Sequence, residues 1–376
     1  MLLSEDHLAV QDAVRQFVQA EIAPHAAEWD KTHQFPRAAL RGLADLGCYG
    51  IAVPTELDGA GLDYLSLAII LEEIAAGDGA TSTVVSVNNC PVCSILMAFA
   101  NDEQQQRFLK PLARGDLLGA FCLTEPHAGS QADGLRTTAV RDGSDYLING
   151  VKQFITSGKN GDVAIVMAVT DKAAGKRGIS AFIVPTNTPG YTVARIEDKM
   201  GQHASDTAQI NFDNCRVPAS NLLADEGMGL KIALSGLEGG RIGIASQALG
   251  MARAAFEAAL AYSKQRTAFG TPIFNHQAVQ FKLADMATQI EAARQLNWHA
   301  ACLKDAGRPC LKEAAMAKLN ASEMAERVCS AAIQVFGGYG YVSDFPVERI
   351  YRDVRVCQIY EGTSEVQKIL IGRALA

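Results

Sequence analysis

Near the end of the chain, in RVCQIYEGTSEVQKILIG (355–372), one carboxylate, Glu361, stands between the apolar and aromatic approach of Ile359 and Tyr360 and the small residue Gly362. Ser364-Glu365-Val366-Gln367 has the form of a capping box, which predicts a last helix starting near Glu365 with Ser364 as its N-cap. Glu361 is then a loop residue just ahead of the positive end of that helix. A carboxylate beside apolar groups has its ionised form disfavoured by lost solvation, which raises its pKa toward the range useful to a general base. A solvated loop acid would carry the same letters, so this stretch alone leaves both readings open.

Other stretches carry polar groups at turns. In FCLTEPHAGSQADG (121–134), Pro126, Gly129 and Gly134 force turns, and Thr124, Ser130 and backbone N–H groups become available as donors. KQFITSGKNG (152–161) is a second such edge, where Phe154 and Thr156 would suit a flat ligand, although Phe154 would equally serve a core. QVFGGYGY (334–341) is glycine-rich but follows a helical pattern rather than a strand, so the dinucleotide fingerprint fails on context, while its glycines still permit close backbone approach to a pyrophosphate. RTAFG (266–270) closes a long helix with Arg266 in its last turn, where it would also complement the helix dipole. CPVC (90–93) lacks both a thioredoxin-like strand before it and a second ligand pair, so it reads as buried thiols, and no metal site is expected.

These groups need a scaffold, and the chain has the means to build one. Its 376 residues are 48% hydrophobic, enough for a large core in two or three domains. The formal charge is −7 with acids and bases intermixed, which argues against a nucleic-acid partner and leaves room for a local cationic site. The start, MLLSEDHLAVQDAVRQFVQAEIAP, reads as an amphipathic helix rather than a signal peptide, and no apolar run is seen to approach the ~20 residues that span a bilayer. With nine scattered cysteines the expectation is a reduced, soluble, cytoplasmic protein without membrane insertion.

Apolar spacing is helical from Ser4 to about Arg114. It turns to short β-type runs (DYLINGVKQFI, DVAIVMAV, ISAFIVP, AQINFD) between Phe121 and about Leu223, and returns to long helices at roughly 229–264, 277–306 and 311–335. The expected fold is mainly α with a central antiparallel β domain: a helical domain over 1–115, the β domain over 116–226 and a helical bundle over 227–376.

Taken together, LTEPHAGS, FITSG, GRIGIASQALG, RTAFG with Gln277, QVFGGYG and IYEGTSE resemble the acyl-CoA dehydrogenase family, in the right order and over essentially the whole chain. The wording of GRIGIASQALG and FKLADM is most similar to short-chain and short-branched-chain members. The resemblance implies a C-terminal four-helix bundle, a homotetramer built as a dimer of dimers, FAD as cofactor, an acyl-CoA substrate and an electron-transfer flavoprotein as acceptor. It implies that Glu361 takes the α-proton while FAD accepts the β-hydride, and that the Glu361 backbone N–H helps to hold the thioester carbonyl. Flavin contacts are implied for Phe121, Cys122, Leu123, Thr124, Gly129, Ser130, Phe154, Ile155 and Thr156. From a neighbouring subunit they are implied for Arg266, Phe269, Gln277, Gln334, Val335, Phe336, Gly337 and Gly338, with Thr363, Ser364 and Glu365 closing over the cofactor. Substrate contacts are implied for Ser130, Glu238, Gly239, Gly240, Arg241, Tyr360 and Gly362.

The chain departs from the family pattern at Phe154, where many relatives have tryptophan, and at His127 and Gln131, where glycine and aspartate are frequent. Gly240 stands where one branch of the family carries its base, so Glu361 has no rival there. The implied reaction is dehydrogenation of a short- or medium-chain acyl-CoA, straight or branched, to the trans-2-enoyl-CoA; an acyl-CoA oxidase or another flavoenzyme on the same fold is the alternative reading, ahead of a non-catalytic flavin- or CoA-binding scaffold.

Overall fold

The computed structural model describes residues 2–376. From Glu5 to Arg114 the chain is helical. The Tyr64–Gly77 helix is apolar nearly all round and is accordingly buried on almost every side, with Asp63 capping its start through Ser66 N. The two acids on it, Glu72 and Glu73, are buried but paired: Glu73 takes Arg15 at 2.8 Å and Arg253 at 2.7 Å, and Glu72 takes Arg294 at 2.8 Å. These ion pairs tie the first helix and the Tyr64–Gly77 helix to two C-terminal helices, since a buried carboxylate left without a cation is costly.

One correction to the sequence reading concerns residues 79–99. Gly79–Phe99 is long and apolar enough to span a membrane by length and composition, but most of it is buried inside the protein. It is a core element, interrupted where Cys90 leaves helical geometry (φ −136°, ψ 115°) ahead of Pro91.

Eight strands then form one sheet: β1 (Gly119–Cys122), β2 (Thr138–Asp142), β3 (Asp145–Thr156), β4 (Val163–Val169), β5 (Ile179–Pro185), β6 (Tyr191–Ile196), β7 (Thr207–Pro218) and β8 (Leu222–Leu223). The order is β6-β7-β3-β2-β4-β5-β8, with β1 also on β4. The expected antiparallel domain is in fact mixed, because β1 runs parallel to β4 and β2 meets β4 in a parallel bridge. The physical reason is the entry of the chain: β1 arrives from the helical region and lies beside β4, while the β2–β3 hairpin between them pairs on towards β7. The runs VAIVMAV and ISAFIVP, buried on both faces, form the centre of the sheet.

Three long helices follow, Gly229–Gln265, Gln277–Asp305 and Leu311–Phe336, then the short Pro346–Val354 helix and the last helix Ser364–Leu375. Alanine-rich faces (Ala245, Ala248, Ala252, Ala293, Ala314, Ala317, Ala321) let them pack closely in one core. That bundle and the Asn88–Cys93 segment place the Glu361 loop against the glycine-rich middle of the Gly229–Gln265 helix.

Candidate active site

The Glu361 loop is a tight left-handed turn: Glu361 has φ 50° and Gly362 φ 92°. Glycine accepts that conformation freely and glutamate does not, so the turn must be held from outside. Gln367 supplies part of the restraint, its side-chain amide donating to Glu361 O at 3.2 Å and to Gly362 O at 2.9 Å. Lys318 supplies the rest, with Nζ donating to Gly362 O at 2.7 Å. Leaving this turn, the chain becomes extended at Thr363, whose hydroxyl accepts from Val366 N, so Thr363 caps the last helix. Ser364, the expected cap, is instead the first helical residue, buried with its hydroxyl unpartnered, because the turn places the helix start one residue early.

The Glu361 carboxylate points inward. Its Oε2 is buried and has no hydrogen-bond partner. Burial lifts its pKa from 4.5 to about 7, against the pull of Arg241 and Lys318. A buried unpartnered carboxylate oxygen is unfavourable for folding alone and suits a group that must take a proton near neutral pH. It is seated on Gly240: a Cβ built there would lie 2.0 Å from Glu361 Oε2. One step back along the helix, a Cβ on Gly239 would lie 3.0 Å from Cys90 Sγ. These two bare backbone positions are the floor on which the carboxylate and the Asn88–Cys93 segment approach the helix.

Arg241, next on that helix, is buried, donates from Nε to Gln367 Oε1 at 3.1 Å and from Nη1 to Leu237 O at 3.1 Å. Gln367 thus joins the guanidinium to the turn that carries Glu361. Glu238 faces Lys304 at 3.1 Å and is half-buried, with Cys310 Sγ 3.5 Å from the same oxygen. Tyr360 turns its hydroxyl away into a buried polar network, donating to Gln247 and accepting from Gln202 at 3.5 Å, so the hydroxyl serves the fold rather than a ligand.

On the sheet, Phe154 is held at φ 60° and is 63% exposed. A register shift between Lys152 and Ile155 against β7 makes the bulge that turns it outward. Gln153 N donates to Thr124 O at 2.9 Å and joins this edge to the 121–130 loop. The same loop is held from beneath by a buried pair that the motif reading missed: Lys152 Nζ contacts Glu125 Oε1 at 2.8 Å and Leu123 O at 3.1 Å, while Glu125 accepts from the backbone of Arg136 and Thr137. Thr124, Thr156 and half-buried Phe121 remain partly open, and Gly129 and Ser130 are exposed. Cys122 and Ile155 point into the sheet core and Leu123 is buried in the adjoining one, so only their backbone is left for a ligand.

Arg266 lies just past its helix rather than in the last turn, because its backbone turns extended there; its guanidinium rests 5.7 Å from the centre of the Tyr339 ring. With Val335, Phe336, Gly337 and Gly338 it lines a cleft of about 620 Å³. Gln334 and Gln277 are exposed, and Phe269, at φ 53° on the tip of the Thr267–Pro272 hairpin, is 98% exposed. Glu365 is exposed in the first turn of the last helix. Exposed aromatic and hydroxyl groups on the β edge, together with an arginine–glycine cleft on the bundle, are a donor set that fits a flavin dinucleotide.

A separate cluster, His33, Asp198 and His203, gathers possible metal ligands within 4.8 Å. The two imidazoles stack at 17°, so their in-plane lone pairs do not converge, and His203 already meets Asp30 at 2.8 Å and Lys199 O at 2.6 Å. It is a structural latch between regions.

Comparison with known proteins shows the family. Models of the acyl-CoA dehydrogenase N-terminal, middle and C-terminal domains match residues 4–116, 120–215 and 227–376. The chain is 47% identical to the short-chain specific acyl-CoA dehydrogenase of Rattus norvegicus mitochondria, over 98% of this chain and 90% of that protein. It superposes on butyryl-CoA dehydrogenase of Megasphaera elsdenii with a TM-score of 0.97 at 43% identity, covering 100% and 99% of the two chains. A chain in the structure of the electron transferring flavoprotein of Acidaminococcus fermentans gives a TM-score of 0.98 at 47% identity, covering 100% and 99%. A helical–sheet–helical chain with a dry carboxylate on a glycine floor, matched along its length in this way, belongs to the FAD-dependent acyl-CoA dehydrogenase family.

Proposed function

We propose that this enzyme converts short-chain acyl-CoA thioesters to trans-2-enoyl-CoA, with Glu361 as the base and an electron-transfer flavoprotein as the acceptor. The observation that carries the reading is the carboxylate of half-buried Glu361, its Oε2 buried and unpartnered and its pKa lifted by burial to about 7. The Cα–H bond breaks with its proton going to Glu361, the Cβ–H bond breaks as a hydride, and the electron pair left at Cα becomes the new double bond. FAD, when bound, supplies the hydride acceptor, and Phe121–Ser130, Phe154–Thr156 and the Arg266 cleft are the residues that would hold it. Arg241 keeps a positive charge beside the base, and the turn held by Gln367 and Lys318 fixes where its carboxylate points. The short-chain preference and the flavoprotein partner are supported by what the rat, Megasphaera and Acidaminococcus proteins are. The exposed Phe269 hairpin supports the homotetramer, in which it would be covered by a neighbour.

The test is anaerobic bleaching of the flavin by a panel of straight and branched acyl-CoAs. Fastest reduction is expected with butyryl-CoA, and the reduced enzyme should persist in air until electron-transfer flavoprotein is added. Absence of bleaching by every acyl-CoA would overturn the activity, and rapid reoxidation by oxygen alone would replace the dehydrogenase with an oxidase.

A further inference from the structure

Lys318 lies on the Leu311–Phe336 helix and is completely buried. A lysine in such a place needs charge around it, since an ammonium without compensation is costly to bury. The carbonyl of Gly362 accepts a hydrogen bond from its ammonium at 2.7 Å. The anionic candidates near it are Cys357, Glu361 and Glu365. Burial pushes the Cys357 thiol up to about 12, so it is uncharged at neutral pH, and Glu365 is exposed to water. The anion that answers this ammonium is therefore Glu361.

The other groups facing Glu361 come from two further elements. The Gly229–Gln265 helix contributes Arg241, itself beside Glu238, whose charge is taken by Lys304. The Asn88–Cys93 segment contributes Cys90, a thiol that burial pushes up to about 11. Arg241 and Lys318 are thus the cations opposing the desolvation of the base. They differ in attachment: Arg241 reaches the turn through Gln367, whereas Lys318 holds Gly362 directly.

We propose that Lys318 is a positioning residue for the reaction, fixing the Glu361–Gly362 turn through the Gly362 carbonyl and favouring the ionised form of the Glu361 carboxylate with its ammonium. The inference rests on Glu361 being the base. Lys318→Met separates the charge from the turn, because Gln367 still donates to Gly362 O at 2.9 Å when the ammonium is gone. Losing one nearby cation should raise the Glu361 pKa by about one unit. The acid limb of acyl-CoA-dependent flavin reduction should move up by the same amount, slowing the reaction about fivefold at pH 7 and converging with wild type at high pH. Lys318→Arg, which keeps charge and donor, should restore the limb.

A second measurement does not depend on turnover: titration of the Glu361 carboxyl by carbon-13 NMR in holoprotein labelled at glutamate Cδ, with the resonance assigned by its loss in Glu361→Gln. Lys318→Met, or Lys318→Gln if the first variant does not fold, should titrate about one unit above wild type. A rate lowered equally at every pH with an unmoved limb, or an unmoved carboxyl titration, would overturn the proposal and leave Lys318 a structural residue. If no acyl-CoA reduces the wild-type flavin the functional reading fails by itself, and the carboxyl titration still decides the role of Lys318.

Discussion

Replacing Glu361 by glutamine removes the proposed base without changing the shape of the side chain, and it should make the protein more stable while making it inactive. In the fold the carboxyl is lifted from 4.5 to about 7. Because the folded state holds its proton to higher pH than the unfolded chain, the Glu361 contribution to stability is fully present below pH 4.5 and is lost progressively as pH rises through about 7. By pH 8 the ionised, desolvated carboxylate costs up to about 3 kcal/mol, and at pH 5 less than about 1 kcal/mol. With about 2 cal/mol/K of unfolding entropy per residue, the larger figure corresponds to roughly 4 °C in melting temperature. The assay is thermal unfolding of wild type and Glu361→Gln holoprotein at equal concentration at pH 5 and pH 8, paired with anaerobic flavin reduction by butyryl-CoA. Glu361→Gln should melt higher at pH 8, nearly coincide with wild type at pH 5, and reduce its flavin at least ~10²-fold more slowly. A melting difference that is the same at both pH values, or a variant less stable at pH 8, would refute the argument that the base is held dry.

Gly240→Ala should fold as well as wild type or better, since alanine gains up to ~1 kcal/mol in a helix interior, yet lose activity ~10²-fold, because its methyl takes the place 2.0 Å from Glu361 Oε2. Unchanged flavin reduction in that variant would mean the carboxylate does not work from this seat. Combining Glu361→Gly with Gly240→Glu should recover measurable dehydrogenation over Glu361→Gly alone, with a changed acyl-length preference; a double variant that binds FAD and acyl-CoA and is no faster contradicts the shared seat. Arg266→Ala should weaken FAD retention on gel filtration by removing a charge-assisted contact, and full occupancy in a monomeric form would rule out a neighbour's contribution.

The long C-terminal helices were legible because their apolar faces repeat for seven turns or more; the expected 229–264, 277–306 and 311–335 are observed as 229–265, 277–305 and 311–336. The β strands were half legible. Runs buried on both faces stood out, whereas GAFC at β1 is too short, and TAVRD and YTVARI at β2 and β6 too exposed, to separate from loop by pattern. The parallel pairing of β1 and β4 depends on where the chain enters, which no local window contains. Glu361 and Gly240 were found by motif, but Lys318 and Gln367 were not, since a lysine in a charged helix and a glutamine after a cap ordinarily face water. One sign was present: Lys318 shares a helical stripe with Ala314, Ala315, Ala321 and Ala325, a face otherwise free of charge.

The seat shared by Gly240 and Glu361 also shapes how such a site changes through descent. Two elements far apart in the chain reach one point in space, so a base could be carried by either, but the volume admits only one occupant. A side chain gained at 240 while Glu361 is present would displace the proposed base, and loss of Glu361 first would leave none. Each single change would be harmful on the way to a double change that restores function, which would be sign epistasis imposed by packing. A base on the loop and a base on the helix would thereby be kept apart by an inactive intermediate, and glycine at 240 leaves the seat in this chain to Glu361.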